Sequence, residues 1–229
     1  MIWLIVLVCL IVTLPALADG PVIVAFGDSI TLGSGLKPAE SYPAQLQALL
    51  REQAGMPELT VVNAGIGGNT VTQGLARLDK DVLACRPCAV LIGFGMNDSV
   101  MTADQTVRVP TAQFREALSQ MVLRLQAAGA KVILAPVTPV IEQYYWERHP
   151  REWYPEGLQA QLDQYTAVIR EVARQTGSPV IDLKKLNPMV DIRTPANSGA
   201  RDGVHPTPAG CAVIAAAYAD KLMPLLRQR

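Results

Sequence analysis

Two short segments at opposite ends of the chain carry the residue types for nucleophilic catalysis. Gly27-Asp28-Ser29 follows directly on an apolar run, Val22-Ile23-Val24-Ala25-Phe26, and Asp202-Gly203-Val204-His205 lies far downstream. A serine at a strand-to-loop turn becomes a nucleophile when a base takes its proton and a carboxylate orients that base. The chain has 2 histidines, so the choice of base is nearly forced. His149 sits between Arg148 and Pro150 in a polar stretch and is expected at the surface, which leaves His205. Thr207-Pro208 reads as the start of a helix just after His205. Its positive end disfavours an imidazolium by about 0.3–1 kcal/mol. A hydrogen bond donated to a carboxylate favours it by about 1.5–3 kcal/mol, so Asp202 can stabilise the charge that forms when His205 accepts the Ser29 proton.

Two further segments could handle negative charge. Asn63-Ala64-Gly65-Ile66-Gly67-Gly68-Asn69-Thr70 clusters glycines, whose backbone N–H groups can face a ligand. It matches neither the Gly-x-Gly-x-x-Gly nor the Gly-Lys-Ser/Thr pattern of phosphate loops, which favours an oxyanion hole or a plain tight turn. In Gly93-Phe94-Gly95-Met96-Asn97-Asp98, Asn97 falls just beyond a predicted strand, where its amide can donate to an oxyanion. Losing one such donor costs about 3–4 kcal/mol of transition-state stabilisation in comparable hydrolases. No metal site is expected, because a zinc centre at Cys85 and Cys88 would need two more ligands. Cys85-Arg86-Pro87-Cys88 precedes a strand-like run rather than opening a helix, so it reads as a local disulfide or two buried thiols, not a redox motif.

The elements that must position these residues are legible. Five apolar runs recur: Val22–Phe26, Thr60–Val62, Ala89–Gly93, Lys131–Ala135 and Pro179–Ile181. Continuous apolarity suits strands covered on both faces of a parallel sheet. Helical stripes lie between them: Leu46, Leu49 and Leu50 after Ser41; a segment from Val71 to Leu83; Phe114, Leu118, Met121 and Leu125 after Thr111; and Leu158, Leu162, Tyr165, Ile169 and Val172 before Gly177. The alternation predicts an α/β fold. In such sheets ligands bind beyond the carboxyl ends of the strands, and the loops after Phe26, Val62, Gly93 and Ile181 lead to Ser29, the glycine segment, Asn97 and His205.

Taken together, these blocks resemble the SGNH hydrolase family, also called GDSL esterases and lipases. The likeness rests on Phe26-Gly27-Asp28-Ser29, the Asn63 to Thr70 segment, Gly95-Met96-Asn97-Asp98 and Asp202-Gly203-Val204-His205-Pro206, and it spans essentially the whole chain after the leader. The resemblance implies a three-layer, flavodoxin-like sandwich with a five-stranded parallel sheet, and ester hydrolysis without a cofactor. It places the nucleophile on Ser29, the base on His205, the orienting acid on Asp202, and the oxyanion donors on Gly68, Asn97 and the Ser29 N–H. The Gly33 to Pro43 region resembles lysophospholipase- and thioesterase-like members, and the Gly-Met-Asn-Asp block also fits carbohydrate acetyl esterases. Cleavage of short or medium acyl esters is the main expectation. A binding module with a vestigial triad is the alternative of a different class.

The bulk of the chain bounds the rest. With 229 residues there is room for one domain. Twenty basic residues balance 20 acidic ones, so nothing argues for a nucleic-acid partner. The expected partner is a small-molecule, lipid or carbohydrate ester. Residues 1–18 read as a signal peptide: Ile2 to Leu17 carry no charge, and Ala16-Leu17-Ala18 fits a small-x-small cleavage site. That leaves a single catalytic domain over residues 19–229 in a periplasmic or secreted protein without stable membrane insertion. The alternative is an uncleaved anchor, for which the run falls just short of the usual ~20 residues. After Ala135 a connection runs from Pro136 to Glu156, far beyond the usual ~2–6 residues. It concentrates Tyr144, Tyr145, Trp146, Trp153 and Tyr154. Trp146 and Trp153 are expected to wall a substrate pocket, unless these rings merely pack the loop onto its own helix.

Overall fold

The apolar runs form strands because each has two hydrophobic faces to bury. In the computed structural model, which describes residues 20–146, 149–183, 192–193 and 203–227, the elements follow in this order. They are β1 (Val22–Gly27), α1 (Ser29–Leu32), α2 (Tyr42–Ala54), β2 (Thr60–Gly65), α3 (Val71–Asp81), β3 (Ala89–Gly93), α4 (Thr111–Ala127), β4 (Lys131–Leu134), α5 (Glu142–Tyr145), α6 (Leu158–Thr176), β5 (Ile192–Arg193), β6 (His205–Pro206) and α7 (Pro208–Leu226). The stretch assigned to a signal peptide and Asp202 lie outside the described residues.

β1 to β4 make a four-stranded parallel sheet in the order β2-β1-β3-β4. Side chains alternate between its faces with the strand period of two. Ile23, Ala25, Ala89, Leu91 and Ile133 join the core that includes Tyr42, Leu46 and Leu50 of α2 and Ile214 and Tyr218 of α7. Val24, Phe26, Val90, Ile92, Val132 and Leu134 join the core built with α3, α4 and α6. Helices thus cover both faces.

The expected fifth strand is corrected. Pro179–Ile181 touches the sheet edge through a single parallel bridge, Leu134 to Val180. Leu134 N–H donates to the Pro179 carbonyl (2.9 Å) and Ile181 N–H to the Leu134 carbonyl (3.0 Å). Extending the ladder one step back would need an N–H on Pro179, and one step forward an N–H on Pro136. Neither proline has one, so the pairing stops at one rung. The chain order across the edge still runs 2-1-3-4 and then the Val180 segment. This is a doubly wound arrangement whose switch point lies between β1 and β3.

Local signals close the helices. Thr70 accepts from Gln73 N–H and Gln73 accepts from Thr70 N–H, a reciprocal cap at the start of α3. Thr207 accepts from Gly210 N–H at 3.1 Å and starts α7. Pro110, not Thr111, occupies the capping position of α4. Among the described residues Cys85, Cys88 and Cys211 form no disulfide; Cys88 and Cys211 are buried and Cys85 half-buried.

Candidate active site

The crevice at the switch point collects Ser29 from the end of β1, the glycine turn from the end of β2, and Asn97 from the end of β3. Asp28 caps the four-residue helix α1, accepting from Ile30 N–H at 2.9 Å. Ser29 therefore begins a helical turn rather than a loose loop. Gly27 makes that turn possible: a Cβ there would lie 2.2 Å from Thr31 Oγ1 and 2.5 Å from the Gly93 carbonyl. β6 pairs antiparallel with β5, setting Arg193 opposite His205, and the Gly203 carbonyl accepts from Ile141 N–H at 2.8 Å. Held in this way, His205 places Nε2 2.9 Å from Ser29 Oγ.

The glycine turn runs beside the serine. A Cβ on Gly67 would lie 3.9 Å from Ser29 Cβ. Gly68 has φ +77°, a left-handed conformation that favours glycine. Among the described residues nothing accepts the Gly68 N–H. Asn97 Nδ2 donates to the Asn69 carbonyl at 3.1 Å and, more weakly, to Asp28 Oδ2 at 3.4 Å. The Asn97 amide is thereby tied to both the glycine turn and the residue before Ser29. Ser29, Met96, Asn97, Val100, Arg108, Tyr145, His149, Val204 and His205 line one cavity of about 200 Å³.

A hydroxyl in contact with an imidazole, beside an amide donor and an unpaired backbone N–H, is equipped for acyl transfer. The model of the GDSL-like lipase/acylhydrolase family matches residues 25–213. The chain belongs to this family. As a GDSL-like acylhydrolase it is a hydrolase of ester bonds. It is 31% identical over 218 residues to an acetylxylan esterase of Geobacillus stearothermophilus, covering 88% of this chain and 94% of the relative. It is 30% identical over 168 residues to the uncharacterized lipoprotein YqeF of Bacillus subtilis, covering 70% and 69%. The crystal structure of a lipase/acylhydrolase from Enterococcus faecalis superposes with a TM-score of 0.68 at 28% identity, over 88% of this chain and 95% of that one.

Two buried carboxylates shape the electrostatics of the acylhydrolase. Burial pushes the Asp28 carboxyl from an ordinary 3.8 up to about 7, with the Ile30 N–H pulling the other way; Asp98 raises it further and His205 lowers it. Burial likewise pushes Asp98 up to about 6, against the N–H groups of Val71 and Gly95 that lower it. Asp98 accepts from Val71 N–H at 2.8 Å and Gly95 N–H at 3.0 Å, so it ties the Asn97 loop to the start of α3.

Sequence reasoning missed several of these parts. Arg77 of α3 donates to the carbonyls of Gly27 and Ala64 and to Asn69 Oδ1, each at 2.9 Å, and pairs with Asp81 at 3.1 Å. Its guanidinium also lies 4.4 Å from the centre of the Phe26 ring. One side chain therefore clamps the ends of β1 and β2 under the site. His149 is not a plain surface residue: it is half-buried, stacks on Tyr145 at 4.1 Å and lines the cavity. Tyr145 and His149 supply the aromatic wall expected from the long loop, and neither Trp146 nor Trp153 is among the residues lining that cavity. Trp146 stands edge-on to Tyr145 (5.5 Å) and Tyr154 (5.3 Å). Trp153 packs half-buried against the core on the α2 and α7 face. The side chain of Tyr144 lies outside the described residues.

Proposed function

We propose that this chain is an exported serine hydrolase that cleaves short or medium acyl esters through a covalent acyl-enzyme, with Ser29 as nucleophile, His205 as base and Asp202 as the acid that orients it. The observation that carries this reading is the 2.9 Å contact between His205 Nε2 and Ser29 Oγ. As Ser29 Oγ bonds to the carbonyl carbon, its proton passes to Nε2. The carbonyl electron pair moves onto oxygen, where Asn97 Nδ2 and the N–H groups of Gly68 and Ser29 receive it. Collapse breaks the ester C–O bond, and the leaving alkoxide takes the proton from Nε2. Water then repeats the sequence on the acyl-enzyme, with His205 again accepting the proton, and releases the acid. No cofactor enters these steps.

A sugar acetyl ester is the substrate class best supported. The acetylxylan esterase relative aligns along nearly its full length, and stacked Tyr145 and His149 offer a flat wall beside Ser29. Lysophospholipase or thioesterase activity is the second reading within the same chemistry, resting on the Gly33 to Pro43 segment. Export is supported by the uncharged N-terminal run and by kinship to a protein named a lipoprotein. The test is a panel of acetylated xylo-oligosaccharides, lysophospholipid, acyl thioester and p-nitrophenyl esters offered to the purified protein. Acetate release from the oligosaccharides at the highest kcat/KM is expected. A preference for lysophospholipid or thioester selects the second reading, and inactivity on all four leaves a binding module with a vestigial triad.

A further inference from the structure

Behind the candidate nucleophile lies a second, internal cavity of about 30 Å³, lined by Ile30, Phe94, Pro136, Val137, Leu183 and Ile214 among others. Met96 is the residue common to its lining and to that of the cavity holding Ser29. It is 7% exposed, so its thioether fills the boundary between them rather than reaching solvent. We propose that Met96 is the partition that sets acyl-chain length: it closes the internal cavity to the acyl group and restricts the enzyme to short acyl esters. The proposal rests on the hydrolase reading above and names the substrate dimension that this side chain controls.

The geometry around the reacting carbon supports an acyl role. The leaving oxygen must face His205 Nε2 to collect its proton, and the oxyanion must face Asn97. The acyl substituent takes the direction that remains. Ile30 and Met96, the chain neighbours of Ser29 and Asn97, both line the internal cavity, so that cavity lies against the floor of the site with Met96 between them. At about 30 Å³ it is well below the ~150 Å³ of a cavity that takes a benzene-sized ligand, so alone it admits no long acyl chain. Its wall is mixed: Asp28, Thr31, Tyr42 and Tyr218 line it as well, and Thr138 stands between it and a larger cavity against α6. Thr138 is 8% exposed and its Oγ1 has no hydrogen-bond partner among the described residues. One water there would satisfy that hydroxyl. Displacing it with a methylene would leave the hydroxyl unpaired, which adds to the discrimination against longer chains. Methionine is unbranched and polarizable, so the partition is a soft wall that smaller residues would remove.

The experiment measures kcat/KM for p-nitrophenyl acetate, butyrate, hexanoate and octanoate with wild type, Met96→Val and Met96→Ala. Met96→Ala deletes Cγ, Sδ and Cε and joins the two cavities. Each methylene newly buried is worth about fourfold in kcat/KM. Two of them should raise the hexanoate-to-acetate ratio about 15-fold in Met96→Ala, with Met96→Val in between. Adding Thr138→Val to Met96→Ala should raise the ratio again, because no hydroxyl is then stranded. Labelling of Ser29 by a fluorophosphonate confirms that each variant keeps a working site. If Met96→Ala loses labelling, Met96→Val carries the same test. A labelled variant with an unchanged acyl ratio overturns the proposal, and so does a shift that appears only when the alcohol is varied with acetyl fixed. A wild-type protein that neither labels nor hydrolyses p-nitrophenyl acetate overturns the hydrolase reading itself.

Discussion

Asp28 offers a sharp electrostatic test because it is 2% exposed, carries a carboxyl pushed up to about 7, and touches both halves of the site. Its folded-state value lies above the ordinary 3.8 that the unfolded chain would show. The stability it contributes is therefore fully present below about pH 4 and is lost as pH rises through about 7, since the unfolded carboxyl ionises first. A separation of about three units at about 1.36 kcal/mol each makes the full loss about 4 kcal/mol. Between pH 4.5 and pH 8 about 3 kcal/mol of it falls due. Asp28→Asn removes this titration while keeping an oxygen that can accept from Ile30 N–H. It exchanges the bond to Asn97 for two amide nitrogens facing each other, a penalty independent of pH that cancels from the slope. Asp98, at about 6, has the same sign and acts on Asp28, so it steepens wild-type loss over the same window. Urea unfolding at pH 4.5, 6 and 8 should show Asp28→Asn gaining about 3 kcal/mol on wild type across that range. A difference that stays flat within 0.5 kcal/mol, on the order of ordinary surface-mutation noise, would refute the burial argument.

Three further outcomes follow from the same geometry. Asn97→Ala should lower kcat by roughly 10²–10³ with little change in KM, because its bond strengthens as charge develops; steady-state kinetics with only a KM change would assign Asn97 to ground-state binding. Trp146→Ala and Trp153→Ala, both outside the cavity lining, should lower Tm and reduce kcat/KM evenly across acyl and alcohol groups; a redistribution among those groups at unchanged Tm would return the indoles to the pocket wall. N-terminal sequencing of exported material should begin at Asp19, whereas an intact N-terminus in the membrane fraction would favour the anchor.

Much of this arrangement was legible because the strands are covered on both faces and so read as unbroken apolar runs; β1 to β4 needed no tertiary information. Ser29, Asn97 and His205 stand out as candidates because each lies shortly beyond a strand or ahead of a capped helix, and the sheet rule brings such positions to one edge. The fifth strand failed for a reason hidden in register. Pro136 and Pro179 look harmless until Leu134 is known to pair with Val180, when each proves to occupy the next donor position. Arg77 and Asp98 were invisible as parts of the site because the partners that join separate elements are backbone groups distant in sequence, the Gly27 carbonyl for Arg77 and the Val71 N–H for Asp98. The long loop's rings were recognised, but composition cannot say which ring faces inward. His149, stacked on Tyr145, lines the same cavity as Ser29, while Trp146 stands edge-on to Tyr145 outside that lining.

The most direct test of the central claim is intact-protein and peptide mass spectrometry after exposure to a fluorophosphonate, on wild type, Ser29→Ala and His205→Ala. A single adduct is expected on the peptide carrying Ser29 in wild type, none in Ser29→Ala, and labelling slowed by several orders of magnitude in His205→Ala, since base and nucleophile act as a unit. An adduct on another residue, or equally fast labelling without His205, would contradict that claim.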